Sequence, residues 1–130
     1  MTATDHRVLV VDDNRMNRIK MTRALKDAYQ VTQVQGGQEA LDLLLAQPID
    51  LVLLDIMMPG MDGFEVLRRM KDEASLRDIP VIVVSGLEDT ESVNRCLEMG
   101  AVDFISKPFD LVQIKTCVDR SLPDRGSLHE

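Results

Sequence analysis

Five short apolar runs recur along this chain, and each is followed by a segment long enough to form a helix. The runs are RVLVV at 7–11, VTQV at 31–34, DLVLL at 50–54, PVIVV at 80–84 and VDFIS at 102–106. Three of them are apolar almost throughout, which suits strands buried on both faces of a parallel sheet better than half-exposed antiparallel ones. Between the runs, Met21, Ala24, Leu25 and Ala28 fall at i, i+3, i+4 and i+7, the apolar stripe of a helix. Segments 38–46, 64–72, 90–98 and 110–121 carry weaker versions, for instance Val93, Cys96 and Leu97. Glycines at 36, 37, 60, 63 and 100 punctuate the elements. Strands alternating with helices predict an α/β fold: a single doubly wound (βα)5 domain whose parallel sheet has helices on both faces.

A chain of 130 residues suits one such domain with a real core. Aromatics are only 3% of it, so aliphatic side chains and Met must fill that core. The net charge of −7 argues against direct binding of nucleic acid or an anionic membrane. No run approaches a transmembrane span, and MTATDHR has no signal-peptide core, so a cytoplasmic location is expected. Cys96 and Cys117 form neither a CxxC pair nor a zinc pattern, and read as small apolar groups buried on helices. His6 and His129 lie near the ends and are expected in solvent. The predicted domain covers 7–121, after an N-terminal extension at 1–6. Residues 122–130, polar from Pro123 onward, form a tail or the start of a linker.

In a fold of this kind, ligands sit outside the carboxyl ends of the strands. Asp12 and Asp13 follow the first run, Asp55 the third, and Lys107 the fifth, while Ser85 ends the fourth. Only the second ends blandly, in Gln35-Gly36. If the strands are ordered 2-1-3-4-5 and ~4.8 Å apart, the acidic pair is one spacing from Asp55, and Lys107 is two spacings, about 10 Å, from it, a gap its side chain largely crosses. Three carboxylates against one ammonium leave a local charge of −2, which disfavours full ionisation unless a cation joins them. Oxygen-only ligands favour Mg²⁺. Such a site suits phosphoryl transfer onto Asp55 as nucleophile, with Lys107 and Ser85 neutralising and hydrogen-bonding the phosphoryl oxygens. In the loop beyond, Pro59 adds stiffness, Gly60 and Gly63 permit tight turning, and Asp62 can cap the next helix. Taken singly, each of these residues has an ordinary explanation: aspartates cap helices, and Ser and Lys sit in turns and on surfaces.

VLVVDDN, LVLLDIMMPGMDGFEVL, PVIVVSG and AVDFISKPF, in that order, closely resemble the response-regulator receiver domain of two-component signalling, over about Arg7 to Ser121. The resemblance implies a flavodoxin-like fold with strand order 2-1-3-4-5. It also implies Mg²⁺ and phosphorylation on aspartate by a histidine kinase or phosphotransfer protein. By position, Asp55 matches the phosphoacceptor and Asp12 with Asp13 the acidic pair holding the metal. Met57 would offer its backbone carbonyl to the metal. Ser85 matches the switch hydroxyl, Lys107 the site lysine, Pro108 the proline of a cis peptide bond, and Phe104 the switch aromatic. Output would leave through the fourth helix, fifth strand and fifth helix, with Glu91, Arg95, Val112 and Lys115 as candidate surface positions. The recipient would be an output domain, a separate partner or, in a phosphorylation-dependent dimer, a second copy of the domain. A receiver catalyses its own phosphorylation and slow dephosphorylation, without acting as an enzyme on other substrates.

Met57 and Leu87 occupy family positions flanking the phosphoryl site, and both are apolar here. They are expected to shield the acyl phosphate from water and slow its hydrolysis. Met58 and Met61 read with Met57 as loop packing. A haloacid-dehalogenase-type hydrolase would need a second acid where Met57 stands. A P-loop NTPase would need GxxxxGK[ST], and a Rossmann unit a glycine-rich first turn where DDNRMN stands. The remaining alternative is a receiver-like interaction module that is never phosphorylated.

Overall fold

The computed structural model describes residues 6–87 and 89–122. In chain order the elements are β1 (Arg7–Val11), α1 (Arg15–Leu25), β2 (Gln30–Val34), α2 (Gly37–Ala46), β3 (Leu51–Leu54), α3 (Gly63–Asp72), β4 (Val81–Ser85), α4 (Thr90–Glu98), β5 (Asp103–Ser106) and α5 (Leu111–Ser121). The strands form one sheet in the order β2-β1-β3-β4-β5, with every pair parallel. This is the predicted α/β architecture and strand order.

Strand residues send successive side chains to opposite faces, and in β1, β3 and β4 both faces are buried from Val8 onward, while the edge strands β2 and β5 are only partly covered. Val8, Val10, Leu51, Leu53, Ile82, Val84 and Ile105 form one core layer with Met21 and Leu25 of α1 and Ile114, Cys117 and Val118 of α5. Leu9, Val11, Val52, Leu54, Val81 and Val83 form the other, under α2, α3 and α4. That two-sided burial explains why β1, β3 and β4 read as unbroken apolar runs.

Local departures from the sequence expectation have identifiable causes. α1 ends at Leu25, so Ala28 lies beyond the helix, although it still packs against the same layer. On α4 only Cys96 of the expected stripe is fully buried, and Leu97 is 43% exposed. Cys117 is buried as expected, but its thiol also donates to Asp103 Oδ2 at 3.0 Å. His6 is half-buried rather than solvated, its ring centroid 6.3 Å from that of Tyr29. His129, nearly all of the 1–6 extension and nearly all of the 122–130 tail lie outside the described residues.

Four of the five helices begin on an Asn or Asp whose side chain accepts from a backbone N–H three residues on: Asn14, Asp62, Asp89 and Asp110. Gly36 opens α2 without such a bond. Each of these side chains satisfies one of the amides that a helix start leaves unpaired. Asp62 therefore caps α3 as expected. Asp12, Asp13 and Asp55 are not among these helix caps, so helix capping does not explain the acids that follow β1 and β3.

Candidate functional site

The parallel register fixes the level at which each strand delivers its last side chain. Val11 is paired with Leu54, and Leu54 with Val83. Asp12 and Asp55 are therefore the first residues beyond equivalent points on adjacent strands. Ser85 lies two residues beyond Val83 and is itself paired with Ser106, so Lys107 follows immediately on the far strand.

Asp12 and Asp55 use their two carboxylate oxygens in the same way. Asp12 Oδ1 accepts from the Asn14 N–H at 2.8 Å, and Asp55 Oδ1 accepts from the Met57 N–H at 3.2 Å. These turns each hold one oxygen toward the chain's own backbone. The other oxygens face Lys107, whose Nζ lies 2.9 Å from Asp12 Oδ2 and 3.4 Å from Asp55 Oδ2. Lys107 thus crosses the gap to the first strand completely. Asp12 is fully buried and Asp55 nearly so, while Asp13 is exposed.

One ammonium does not satisfy this arrangement. Asp12 Oδ2 is buried and lacks an aligned hydrogen bond; Lys107 is close enough to pair with it electrostatically but is poorly directed. Burial pushes the Asp55 carboxyl up to about 6, and the neighbouring Asp12 charge adds to that rise. Lys107 and the Met57 amide pull it back only in part. A carboxylate that is costly to ionise beside a second buried acid is one that a cation would stabilise.

Asp12, Asp13 and Asp55 can each offer an oxygen such that all three lie within 4.8 Å of one another. The set contains no nitrogen or sulfur, and one of its residues, Asp12, carries the orphaned Oδ2. It fits a hard divalent cation such as Mg²⁺.

The other expected site residues are distributed around this centre. Ser85 is completely buried, and its Oγ accepts from the Leu87 N–H at 3.3 Å. Its carbonyl accepts from the Lys107 N–H at 2.9 Å, tying the ends of β4 and β5 together. The Lys107–Pro108 bond is cis. Phe104, opposite Val83 in the register, is partly buried against the α2–α4 layer. Met57 is 61% exposed at the rim, unlike Met58, which is buried, and Met61, which packs on the core. Leu87 packs inward against the same layer, so only Met57 of the flanking pair stands open.

Two contacts were not legible in the sequence. Arg18 reaches back from α1 to donate to the Asp12 carbonyl at 2.7 Å, anchoring the acidic turn. No spacing signature marks it, because any residue one to two turns into α1 could make that reach. Gly63 is required for space rather than for turning. A Cβ there would lie 2.4 Å from the Asp55 carbonyl oxygen and 2.6 Å from Ile56 Cα, so α3 starts directly against the backbone that carries Asp55. Gly60, with φ +78°, does supply the expected tight turn.

A doubly wound sheet with an acidic pair and a buried aspartate at adjacent strand ends, spanned by a lysine, defines the receiver class. The family model for the response regulator receiver domain matches residues 8–119, and the chain belongs to that family. It is 38% identical over 120 residues to a probable cyclic di-GMP phosphodiesterase of Vibrio cholerae, a match covering 92% of this chain and 27% of that protein. It is 36% identical over 117 residues to the two-component response regulator ORR5 of Oryza sativa subsp. japonica, covering 88% of this chain and 87% of that one. The solved signal receiver domain of a signal transduction histidine kinase from Syntrophus aciditrophicus superposes with a TM-score of 0.82 at 37% identity, covering 90% and 89% of the two chains. The chain thus spans about a quarter of the phosphodiesterase's length and most of the rice regulator's. Among the described residues, no helix is long and apolar enough to cross a membrane.

Proposed function

We propose that this domain, residues 7–121, accepts a phosphoryl group on Asp55 from the phosphohistidine of a histidine kinase or phosphotransfer protein. The observation that carries the reading is the meeting of three carboxylates within 4.8 Å of one another, with the Lys107 ammonium 3.4 Å from Asp55.

In the proposed step an Asp55 carboxylate oxygen attacks phosphorus, forming a P–O bond as the P–N bond to the donor imidazole breaks. The leaving imidazole retains the electron pair and is protonated. Asp55 Oδ1 is held by the Met57 amide, which leaves Oδ2, 3.4 Å from Lys107 Nζ, as the attacking atom. Lys107 neutralises charge on the transferring group, and the Ser85 hydroxyl donates to a phosphoryl oxygen after turning from its own loop. Asp12, Asp13 and Asp55, with the Met57 carbonyl, would hold Mg²⁺, which would supply further charge neutralisation there.

Phosphorylation then biases a two-state surface. Ser85 moves toward the phosphoryl group, Phe104 turns inward, and the α4, β5 and α5 face changes for an output domain or partner in the cytoplasm. Glu91 and Val112 are exposed on those helices, and Lys115 is half-exposed. Arg95 is exposed too, but turns toward α3, its guanidinium 3.9 Å from the centre of the Phe64 ring.

The direct test is intact-mass measurement after incubation with acetyl phosphate and Mg²⁺. Wild type gains one phosphoryl mass and Asp55→Asn gains none. An unmodified wild type would instead indicate a receiver-like interaction module.

A further inference from the structure

The Arg95–Phe64 stack lies in a groove between α3 and α4 with a volume of about 550 Å³. Gly60, Met61, Phe64 and Met99 give it apolar lining, and Arg68, Arg69 and Arg95 line it as cations beside the anions Asp62 and Glu65, with Asp72 paired to Arg68 just outside the lining. A net-positive groove is unexpected on a chain of net charge −7.

The three arginines are not equivalent. Arg68 has a carboxylate on each of its three nitrogens, with Nε and Nη2 bonded to Glu65 and Nη1 to Asp72. Arg69 gives only Nε to Glu65, at 2.7 Å, leaving its two terminal nitrogens unbonded among the described residues. Arg95 has no carboxylate within ion-pair distance among the described residues; it rests on Phe64 instead. Glu65 is held well ionised by Arg68 and Arg69, so it serves as a fixed anchor that aims Arg69 rather than as a mobile competitor. The result is two guanidinium groups with free N–H donors beside a methionine- and phenylalanine-lined floor. Guanidinium recognises carboxylate with paired hydrogen bonds, and the floor accepts an aliphatic side chain.

We propose that the α3–α4 groove docks an acidic segment of a partner protein, in which carboxylates meet Arg69 and Arg95 and an interspersed aliphatic residue rests on Phe64, Met61 and Met99. An extended segment suits the open, polar shape better than a small ligand, which would need an enclosed apolar pocket. The groove shares no residue with the acidic rim. Docking can therefore be measured in an Asp55→Asn background, where failure of the phosphoacceptor reading leaves the result unaffected.

The experiment is amide shift mapping of the ¹⁵N-labelled chain titrated with a short synthetic peptide of Glu and Asp carrying leucines. Shifts are expected at Met61, Phe64, Arg69, Arg95 and Met99, weakening as salt is raised. Affinity should fall about tenfold in Arg69→Gln/Arg95→Gln, both surface positions, with the rest of the spectrum unchanged. The proposal is overturned if the peptide does not bind at millimolar concentration, if shifts cluster elsewhere, or if the double variant binds equally well. It is also overturned if a Gln/Asn version of the peptide binds as tightly, or if ATP occupies the groove more tightly than the peptide.

Discussion

Lys107 Nζ lies 2.9 Å from Asp12 Oδ2, three strands along the sheet, and yet leaves that oxygen without a directed hydrogen bond. The lysine therefore balances charge at the rim without hydrogen-bonding that oxygen. Lys107 is also one of the groups holding the Asp55 carboxyl down. Lys107→Met should move the Asp55 titration midpoint above its present value of about 6, by roughly one unit. Carboxyl ¹³C shifts followed against pH, without divalent cations, check this. A midpoint that stays or falls would mean the lysine does not act on Asp55.

The raised Asp55 pKa has a consequence for stability. The folded state binds this proton more tightly than the unfolded chain, where the group titrates near 3.8. Its cost to the fold is therefore absent below about pH 4, grows as pH rises to about 6, and is full above that. In EDTA at pH 7.5, Asp55→Asn should be more stable than wild type by about 1–3 kcal/mol, a difference that vanishes near pH 4. Urea unfolding midpoints at the two pH values measure it. Added Mg²⁺ should raise the wild-type midpoint and leave the variant's nearly unchanged.

Gly63→Ala should damage the site more than the helix. The added methyl meets the Asp55 carbonyl oxygen and Ile56 Cα, both backbone atoms that cannot swing aside. The Gly63 N–H also donates to the Ile56 carbonyl at 2.9 Å, so the loop must shift as a unit. We expect a loss of about 2–3 kcal/mol in stability despite alanine's better helix propensity, together with weakened Mg²⁺ binding. Thermal unfolding and calorimetric titration check the two effects.

These cases show which features the sequence could reveal. Asp12, Asp55 and Lys107 were legible because each is bonded directly to the end of an apolar run, with Asp13 one residue further on, and parallel register converts that position into a place in space. The capping role of Asp62 was legible for the same local reason. Gly63 could be marked as special, but not why, since the clash it avoids is with a segment fixed only after α3 packs. The Arg18 contact to Asp12 and the turn of Arg95 onto Phe64 depend on long, flexible side chains whose partners come from other elements. Periodicity misplaced Ala28 and Leu97 because an apolar spacing does not say where a helix stops or how deeply it sits.

Met57→Asn/Leu87→Glu should accelerate loss of the phosphoryl group. Met57 stands open at the rim, where an amide could position an attacking water. Leu87 packs inward, so a glutamate there must turn outward, over the site. Release of inorganic phosphate from the phosphorylated chain should rise by about tenfold. An unchanged rate would remove the shielding role from this pair.

The account depends most on which atom carries the phosphoryl group. Borohydride reduction of the chain treated with acetyl phosphate, followed by peptide mass spectrometry, reads this directly, because only an acyl phosphate is reduced to the alcohol. Reduction at position 55, dependent on Mg²⁺ and absent at positions 12 and 13, is the predicted result. Reduction at Asp12 or Asp13, or at none of the three with the metal present, would contradict it.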